Sequence, residues 1–87
     1  MTYPVSRVGD TSDHGGTIIT GSPSMIIEGR AVARVTDIFA CPIHGNNPIV
    51  TSLVMHTQDE GKAVAHIGSK TQCGAIITTG DMGFTVA

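Results

Sequence analysis

Short runs of β-branched residues, separated by polar residues and glycines, recur along the whole chain. No segment repeats apolar residues at the three- and four-residue spacing of an amphipathic helix, and 11 glycines among 87 residues oppose long helices. The runs that follow glycine-marked turns are rich in Ile and Thr, which favour strands. These runs are Thr17-Ile18-Ile19-Thr20, Pro48-Ile49-Val50-Thr51 and Ile76-Ile77-Thr78-Thr79. The pattern predicts an all-β fold.

Three segments resemble one another and mark the starts of three units. They are Val5-Ser6-Arg7-Val8-Gly9-Asp10, Val32-Ala33-Arg34-Val35-Thr36-Asp37 and Val64-Ala65-His66-Ile67-Gly68-Ser69. The first and third units continue to a metal-ligand side chain before a glycine, at His14-Gly15 and Cys73-Gly74. The middle unit carries three extra residues, so Cys41 comes first and His44-Gly45 takes the equivalent place. A period of about 30 residues predicts a fold of three unequal repeats.

A third strand is predicted in each of the first two units. The candidate segments are Ser24-Met25-Ile26-Ile27-Glu28-Gly29 and Leu53-Val54-Met55-His56. They lead into Glu28-Gly29-Arg30 and Asp59-Glu60-Gly61-Lys62, whose residue types suit hairpin turns. Each of these units is therefore interpreted as three strands, with a glycine turn after the first and a return turn at the end.

The apolar composition limits how large a core the chain can form. Hydrophobic residues make up 40% of the sequence, but aromatic residues only 3%, and Trp is absent. Because aromatic side chains supply much of the buried area in small cores, a single domain over residues 1–87 is expected to need a further cross-link or a partner. The two cysteines allow either one disulfide, between Cys41 and Cys73, or a shared metal ion.

The ends and the charge of the chain indicate where it resides and what it does not bind. The start, Met1-Thr2-Tyr3-Pro4-Val5, lacks the basic residues and apolar run of a signal peptide, and no run approaches the roughly 20 apolar residues of a membrane-spanning helix. We expect synthesis in the cytoplasm, where thiols stay reduced and metal binding is favoured over a disulfide. A net charge of -2 with only five Lys and Arg argues against nucleic acid as a partner.

Four candidate metal ligands lie on the three glycine turns: His14, Cys41, His44 and Cys73. If the three units stack about a common axis, the turns meet at one end and these side chains converge. Two imidazole nitrogens and two thiolates in a tetrahedron suit Zn²⁺ better than Mg²⁺ or Ca²⁺, which prefer oxygen ligands. Four protein ligands fill the coordination shell, so the prediction is one structural zinc ion that cross-links the turns.

Several of these motifs together resemble the PAAR-repeat family. They are Asp-x-x-x-His-Gly-Gly at residues 10–16, Val32-Ala33-Arg34, Cys41-Pro42-Ile43-His44-Gly45 and Cys73-Gly74-Ala75. The resemblance extends over most of the chain, from about residue 5 to residue 86. It implies a small conical β-prism with pseudo-threefold symmetry and a zinc near its vertex. Its base would sit on the blunt end of a trimeric spike protein of the type VI secretion apparatus, one copy per trimer.

The same resemblance implies a mechanical function, with no enzyme activity. A rigid vertex held by zinc would cap and sharpen the spike and concentrate force on the membrane of a target cell. The protein would be cytoplasmic before the apparatus fires and secreted by it afterwards. Larger relatives carry toxin domains beside the cone, and none adjoins the motifs here. We therefore expect a stand-alone member, with which effectors would associate non-covalently or through the spike.

Two alternatives remain open. Family sites with three His and one Cys would bring His66 or His56 into the shell in place of a cysteine. A small zinc-dependent hydrolase would need an open coordination position and a carboxylate base, but the sequence has no His-Glu-x-x-His motif. The arginines that align with His66 are expected either to face the solvent or to pair with a nearby aspartate, as Arg7 with Asp10 and Arg34 with Asp37.

Overall fold

The protein consists of short strands joined by turns in the computed structural model, which describes residues 3–54, 57–59 and 61–86, with the side chain of Met82 excepted. These residues contain no helix, so the described chain has no helix long and apolar enough to cross a membrane. The predicted all-β class is confirmed. The strands are β1 (Tyr3–Val5), β2 (Thr17–Ile18), β3 (Ile26–Ile27), β4 (Arg30–Ala31), β5 (Ile38–Cys41), β6 (Gly45–Pro48), β7 (Gln58–Asp59), β8 (Lys62–Ala63) and β9 (Asp81–Val86).

The strand pairs of the described residues are all antiparallel. The first and last strands pair with each other, with Tyr3 opposite Val86, and β5 lies between β2 and β6 in a three-stranded sheet. Two hairpins, β3–β4 and β7–β8, occur where the sequence predicts return turns. In the first of these hairpins Glu28 and Gly29 both have positive φ, 52° and 79°, as a two-residue type I′ turn requires.

The third strand predicted at Leu53-Val54-Met55-His56 is wrong over its described part. Leu53 and Val54 belong to no strand, and Met55 and His56 lie outside the described residues. Side chains take the amides that a strand would use: Val54 N–H donates to Ser52 Oγ at 3.1 Å. Leu53 N–H donates to His66 Nε2 at 2.9 Å. Hydroxyl side chains compete in this way with the sheet ladder, and the strand of this region is β7 instead.

The corresponding strand of the first unit is shorter than predicted for the same reason. Ser22 Oγ accepts hydrogen bonds from the N–H groups of Ser24, at 3.1 Å, and Met25, at 2.9 Å. Ser24 therefore lies in a bend, and the strand begins only at Ile26.

Three buried residues from the three aligned segments join in a closed ring of backbone hydrogen bonds. Ser6 N–H donates to Ala65 O at 3.0 Å, Ala33 N–H to Ser6 O at 2.9 Å, and Ala65 N–H to Ala33 O at 2.8 Å. All three side chains are fully buried and small, which leaves room for three backbones to meet. The sequence repeat thus corresponds to equivalent positions in one hydrogen-bonded ring.

Each aligned segment also ends in a β-turn with positive φ at its third residue. In the turns at residues 7–10, 34–37 and 66–69, the N–H of the fourth residue donates to the carbonyl of the first at 3.0, 2.9 and 3.0 Å. The third residues are Gly9 (φ 94°), Thr36 (φ 85°) and Gly68 (φ 102°). A type II turn requires this conformation, which glycine adopts without cost, but a β-branched residue adopts it only with strain.

Replacing Thr36 with glycine is therefore expected to raise the free energy of unfolding by about 1 kcal/mol. Release of backbone strain contributes roughly 1–3 kcal/mol, and the extra entropy of glycine in the unfolded chain offsets roughly 0.5–1 kcal/mol. Val35→Gly, one residue earlier in the same turn, should lower stability because no strain is relieved there. Chemical denaturation of both variants measures the effect. A less stable Thr36→Gly protein would contradict the assignment of strain to Thr36.

The apolar side chains form two buried clusters. The valine cluster contains Val5, Val32, Val54, Val64 and Val86. The second cluster contains Ala33 and Ala65 of the hydrogen-bonded ring, together with Ile18, Phe39, Cys41, Ile49, Ala75 and Ile77. Cys73 packs against it. Two of the four candidate ligands are thus in contact with the second cluster, so its packing fixes their backbone.

The arginines that align with His66 pair with carboxylates and do not face the solvent. Arg34 Nε lies 3.0 Å from Asp37 Oδ2, and Arg34 Nη1 lies 3.4 Å from Asp59 Oδ2. Arg7 Nη1 lies 3.3 Å from Asp81 Oδ2, and Arg7 Nε lies 3.8 Å from Oδ2 of the expected partner, Asp10. Both arginines are buried, as are Asp37 and Asp81. Each arginine therefore satisfies a carboxylate that would otherwise be costly to hold away from water.

Candidate metal centre

Two of the ligand-bearing turns are held by a hydroxyl residue two positions before the ligand. In the first turn His14 N–H donates to Ser12 Oγ at 3.0 Å, and Ser12 Oγ donates to Gly15 O at 2.9 Å. In the third, Gly74 N–H donates to Thr71 O at 3.0 Å, and Thr71 Oγ1 lies 3.1 Å from Cys73 Sγ. These bonds fix the directions of both turns.

The middle turn is the hairpin between β5 and β6. Cys41 pairs with Gly45 across it, so that Cys41 and His44 both lie at the closed end of the hairpin. Gly16 lets the first turn approach this hairpin: its φ is 76°, and a Cβ there would collide with the Ala40 carbonyl and lie 2.9 Å from Pro42 Cδ. A side chain at residue 16 would push the first turn away from the second.

The structure brings the four predicted ligands together. One donor atom from each of His14, Cys41, His44 and Cys73 lies within 4.8 Å of all the others. Cys41 Sγ is 3.6 Å from His44 Nδ1 and 4.0 Å from His14 Nδ1. A tetrahedral zinc site with bonds of about 2.0–2.3 Å has donors roughly 3.3–3.8 Å apart. The donor set therefore fits a metal ion after a contraction of at most about 1–1.5 Å at its widest separation.

The surroundings of Cys73 favour its thiolate, the form that binds metals. The hydroxyl of Thr71 is the largest cause of a pKa lowered from the usual 9.0 to about 6 for the Cys73 thiol. The Ala75 N–H, Cys41 and His14 lower this pKa further, while burial raises it. Cys41 itself is buried, His14 and Cys73 are half-buried, and His44 is exposed.

Comparison with protein-family models gives a match to the PAAR motif over residues 8–79, most of the 87-residue chain. The chain belongs to the PAAR-motif family. The matched region contains all four donor residues. PAAR-motif proteins form a structural family of type VI secretion spike tips and are not known as enzymes. A comparison with curated proteins found no match.

His66, one of the two histidines that could replace a cysteine, does not join this PAAR-motif donor set. His66 is fully buried, and both of its ring nitrogens are engaged: Nδ1 donates to Ile67 O at 2.7 Å, and Nε2 accepts from Leu53 N–H at 2.9 Å. Its ring also stacks on Tyr3, with centroids 4.6 Å apart. This histidine therefore anchors the segment around Leu53. His56 lies outside the described residues.

Three residues that support the site are absent from the predicted set: Ser12, Thr71 and Asn47. The repeat alignment contains a signal for Ser12 and Thr71, because each stands two residues before a ligand in equivalent turns. Asn47 has no such signal. It follows the middle turn, whose three extra residues have no counterpart in the other units.

The arrangement suits a cross-link between turns. If all four donors bound one ion, they would complete a tetrahedral shell and leave no position for a reacting water. Among the described residues Asp13 is the carboxylate beside the donors, with Oδ1 4.0 Å from His14 Nε2. Asp13 Oδ1 also accepts a hydrogen bond from Ile76 N–H at 2.9 Å. This carboxylate thus orients a turn and a histidine, and the donor set does not favour a hydrolase.

Proposed function

We propose that this PAAR-motif protein is the structural tip of a type VI secretion spike, with one structural zinc held by His14, Cys41, His44 and Cys73. The observation that carries the proposal is the convergence of four nitrogen and sulfur donors from three turns distant in sequence. Residues 1–87 form a single domain in this proposal. Zinc supplies a cross-link between the turns, which offsets the small apolar core.

We infer that the fold is a three-repeat conical β-prism with pseudo-threefold symmetry. The ring of Ser6, Ala33 and Ala65 supports it, as do the three equivalent turns with positive φ. A chain with three similar units can match a threefold-symmetric trimer in a single copy and present no second site for further assembly. It would also cover the exposed strand edges at the end of the spike.

The vertex of this prism carries the zinc, and the base lies at the valine cluster. Ile26, Leu53 and Phe84 are exposed apolar residues, and each is a close sequence neighbour of a residue that belongs to this cluster or packs against it. We infer that these three side chains lie together at the base, where exposed apolar residues suit a protein interface. The base would dock on the trimeric spike, and effectors would associate with the cone or with the spike.

The mechanical function follows from this arrangement. A vertex pinned by four metal bonds resists deformation when the spike is driven into the membrane of a target cell. The protein would stay in the cytoplasm until firing and would then leave with the spike, without a signal peptide. None of these steps requires a catalytic residue.

The test is complex formation with the trimeric spike protein of the same organism. The zinc-loaded protein and the spike are mixed, and native mass spectrometry gives the composition of the complex. We expect one copy of this chain on each spike trimer. Failure to form a complex, or three copies on each trimer, would contradict the proposal.

A further inference from the structure

A buried amide side chain connects two of the ligand-bearing turns. Asn47 lies in β6 and is only 8% exposed. Its Oδ1 accepts a hydrogen bond from Cys73 N–H at 3.1 Å, and its Nδ2 donates to Gly45 O at 2.9 Å. Gly45 directly follows His44. The side-chain amide of Asn47 thus links the backbone of Cys73 to the backbone of Gly45, the residue beside His44.

These two bonds act on different units of the chain. Gly45 belongs to the middle turn, whereas Cys73 belongs to the third, 26 residues beyond Asn47. A backbone hydrogen bond from Gln72 N–H to Pro48 O, at 2.9 Å, brings the two segments together. That bond does not involve the cysteine itself. The side-chain amide of Asn47 instead bonds to the N–H of Cys73. It therefore fixes the backbone from which the Cys73 side chain, with its Sγ, extends.

We propose that Asn47 is a positioning residue of the metal centre, which holds Cys73 in register with His44 before the ion binds. This inference rests on the ligand set of the proposed function. Groups that hold ligands without touching the metal raise affinity because the ligands need not be ordered on binding, and their loss typically weakens binding by about 10–100-fold. Asn47→Ala should therefore weaken zinc binding by about that factor.

The experiment compares the full-length protein with Asn47→Ala, Asn47→Asp and Asn46→Ala. Asn46 is the matched control, because it is the same residue type one position earlier and is exposed. Asn47→Asp keeps an acceptor for Cys73 N–H but loses the donor to Gly45, so it remains informative if Asn47→Ala does not fold. Zinc affinity is measured by competition with a chelator, and Co²⁺ replaces zinc to report the thiolate-to-metal absorption.

We expect weaker zinc binding and an altered cobalt–thiolate band in both Asn47 variants, with Asn46→Ala like the unmodified protein. Melting of the metal-free proteins separates positioning from general stability, because a purely structural role would lower that melting temperature and leave affinity and spectrum unchanged. Unchanged zinc affinity and cobalt spectrum in a folded Asn47 variant would overturn the role of Asn47 alone. Absence of zinc binding by the unmodified protein would overturn the ligand set, and this inference with it.

Discussion

Replacing His44 with alanine is expected to lower the melting temperature of the zinc-loaded protein by roughly 15–30 °C. Zinc at about 1,000 times its dissociation constant stabilises the folded state by about 4 kcal/mol, and each kcal/mol shifts melting by about 4–8 °C in a domain of this size. Loss of one of four ligands removes most of this contribution. The His44 side chain is exposed, so its loss removes little packing.

Metal removal provides the internal control for this prediction. With a chelator present, His44→Ala and the unmodified protein should melt within a few degrees of each other, because surface substitutions typically change stability by about 0.5 kcal/mol or less. Ile43→Ala, an exposed neighbour in the same turn, should retain the stabilisation by zinc. If His44→Ala melts like the unmodified protein in zinc, His44 is not a ligand.

Replacing Leu53 with aspartate is expected to weaken docking on the spike trimer by at least about 100-fold. Among the described residues, Leu53 has the most exposed large apolar side chain, at 71%, and it adjoins the valine cluster through Val54. A charge placed in the desolvated centre of an interface typically costs several kcal/mol. The substitution leaves the hydrogen bond from Leu53 N–H to His66 intact, because that bond uses the backbone.

Ile43→Asp is the matched control for the docking experiment. Ile43 is 67% exposed and lies in the turn that carries His44, at the vertex in the proposed arrangement. Binding of each variant to immobilised spike trimer, with zinc present, gives the comparison. We expect Ile43→Asp to bind like the unmodified protein. If Ile43→Asp loses binding and Leu53→Asp keeps it, the orientation of the cone on the spike is reversed.

The convergence of the donors could be predicted because it follows from the repeat. His14, His44 and Cys73 occupy equivalent places after three similar segments, and segments that share one hydrogen-bonded ring carry their turns to the same region. The strain at Thr36 has the same origin, since the alignment places it opposite Gly9 and Gly68. The alignment of the three repeats is sufficient to predict where the donors meet and which turn is strained.

The features that the sequence did not predict depend on contacts between side chains and a distant backbone. The third strand of the first unit is shorter than predicted, and the described part of the second one is not a strand. In both places a serine hydroxyl, of Ser22 or Ser52, accepts hydrogen bonds from amides that the apolar pattern assigns to a ladder. Asn47 contacts Cys73 only because β6 and the third turn meet in the fold. Neither kind of contact follows from the spacing of residues in the sequence. The strand ends and the link between the turns could therefore be found only in the structure.

The most direct test of the structural zinc site is elemental analysis of the purified protein together with an X-ray absorption spectrum at the zinc edge. We predict one zinc per chain, with two sulfur neighbours at about 2.3 Å and two nitrogen neighbours at about 2.0–2.1 Å. The sulfur neighbours would be Cys41 and Cys73. A protein without zinc, or a shell with one sulfur or with bound water, would contradict the four-ligand site.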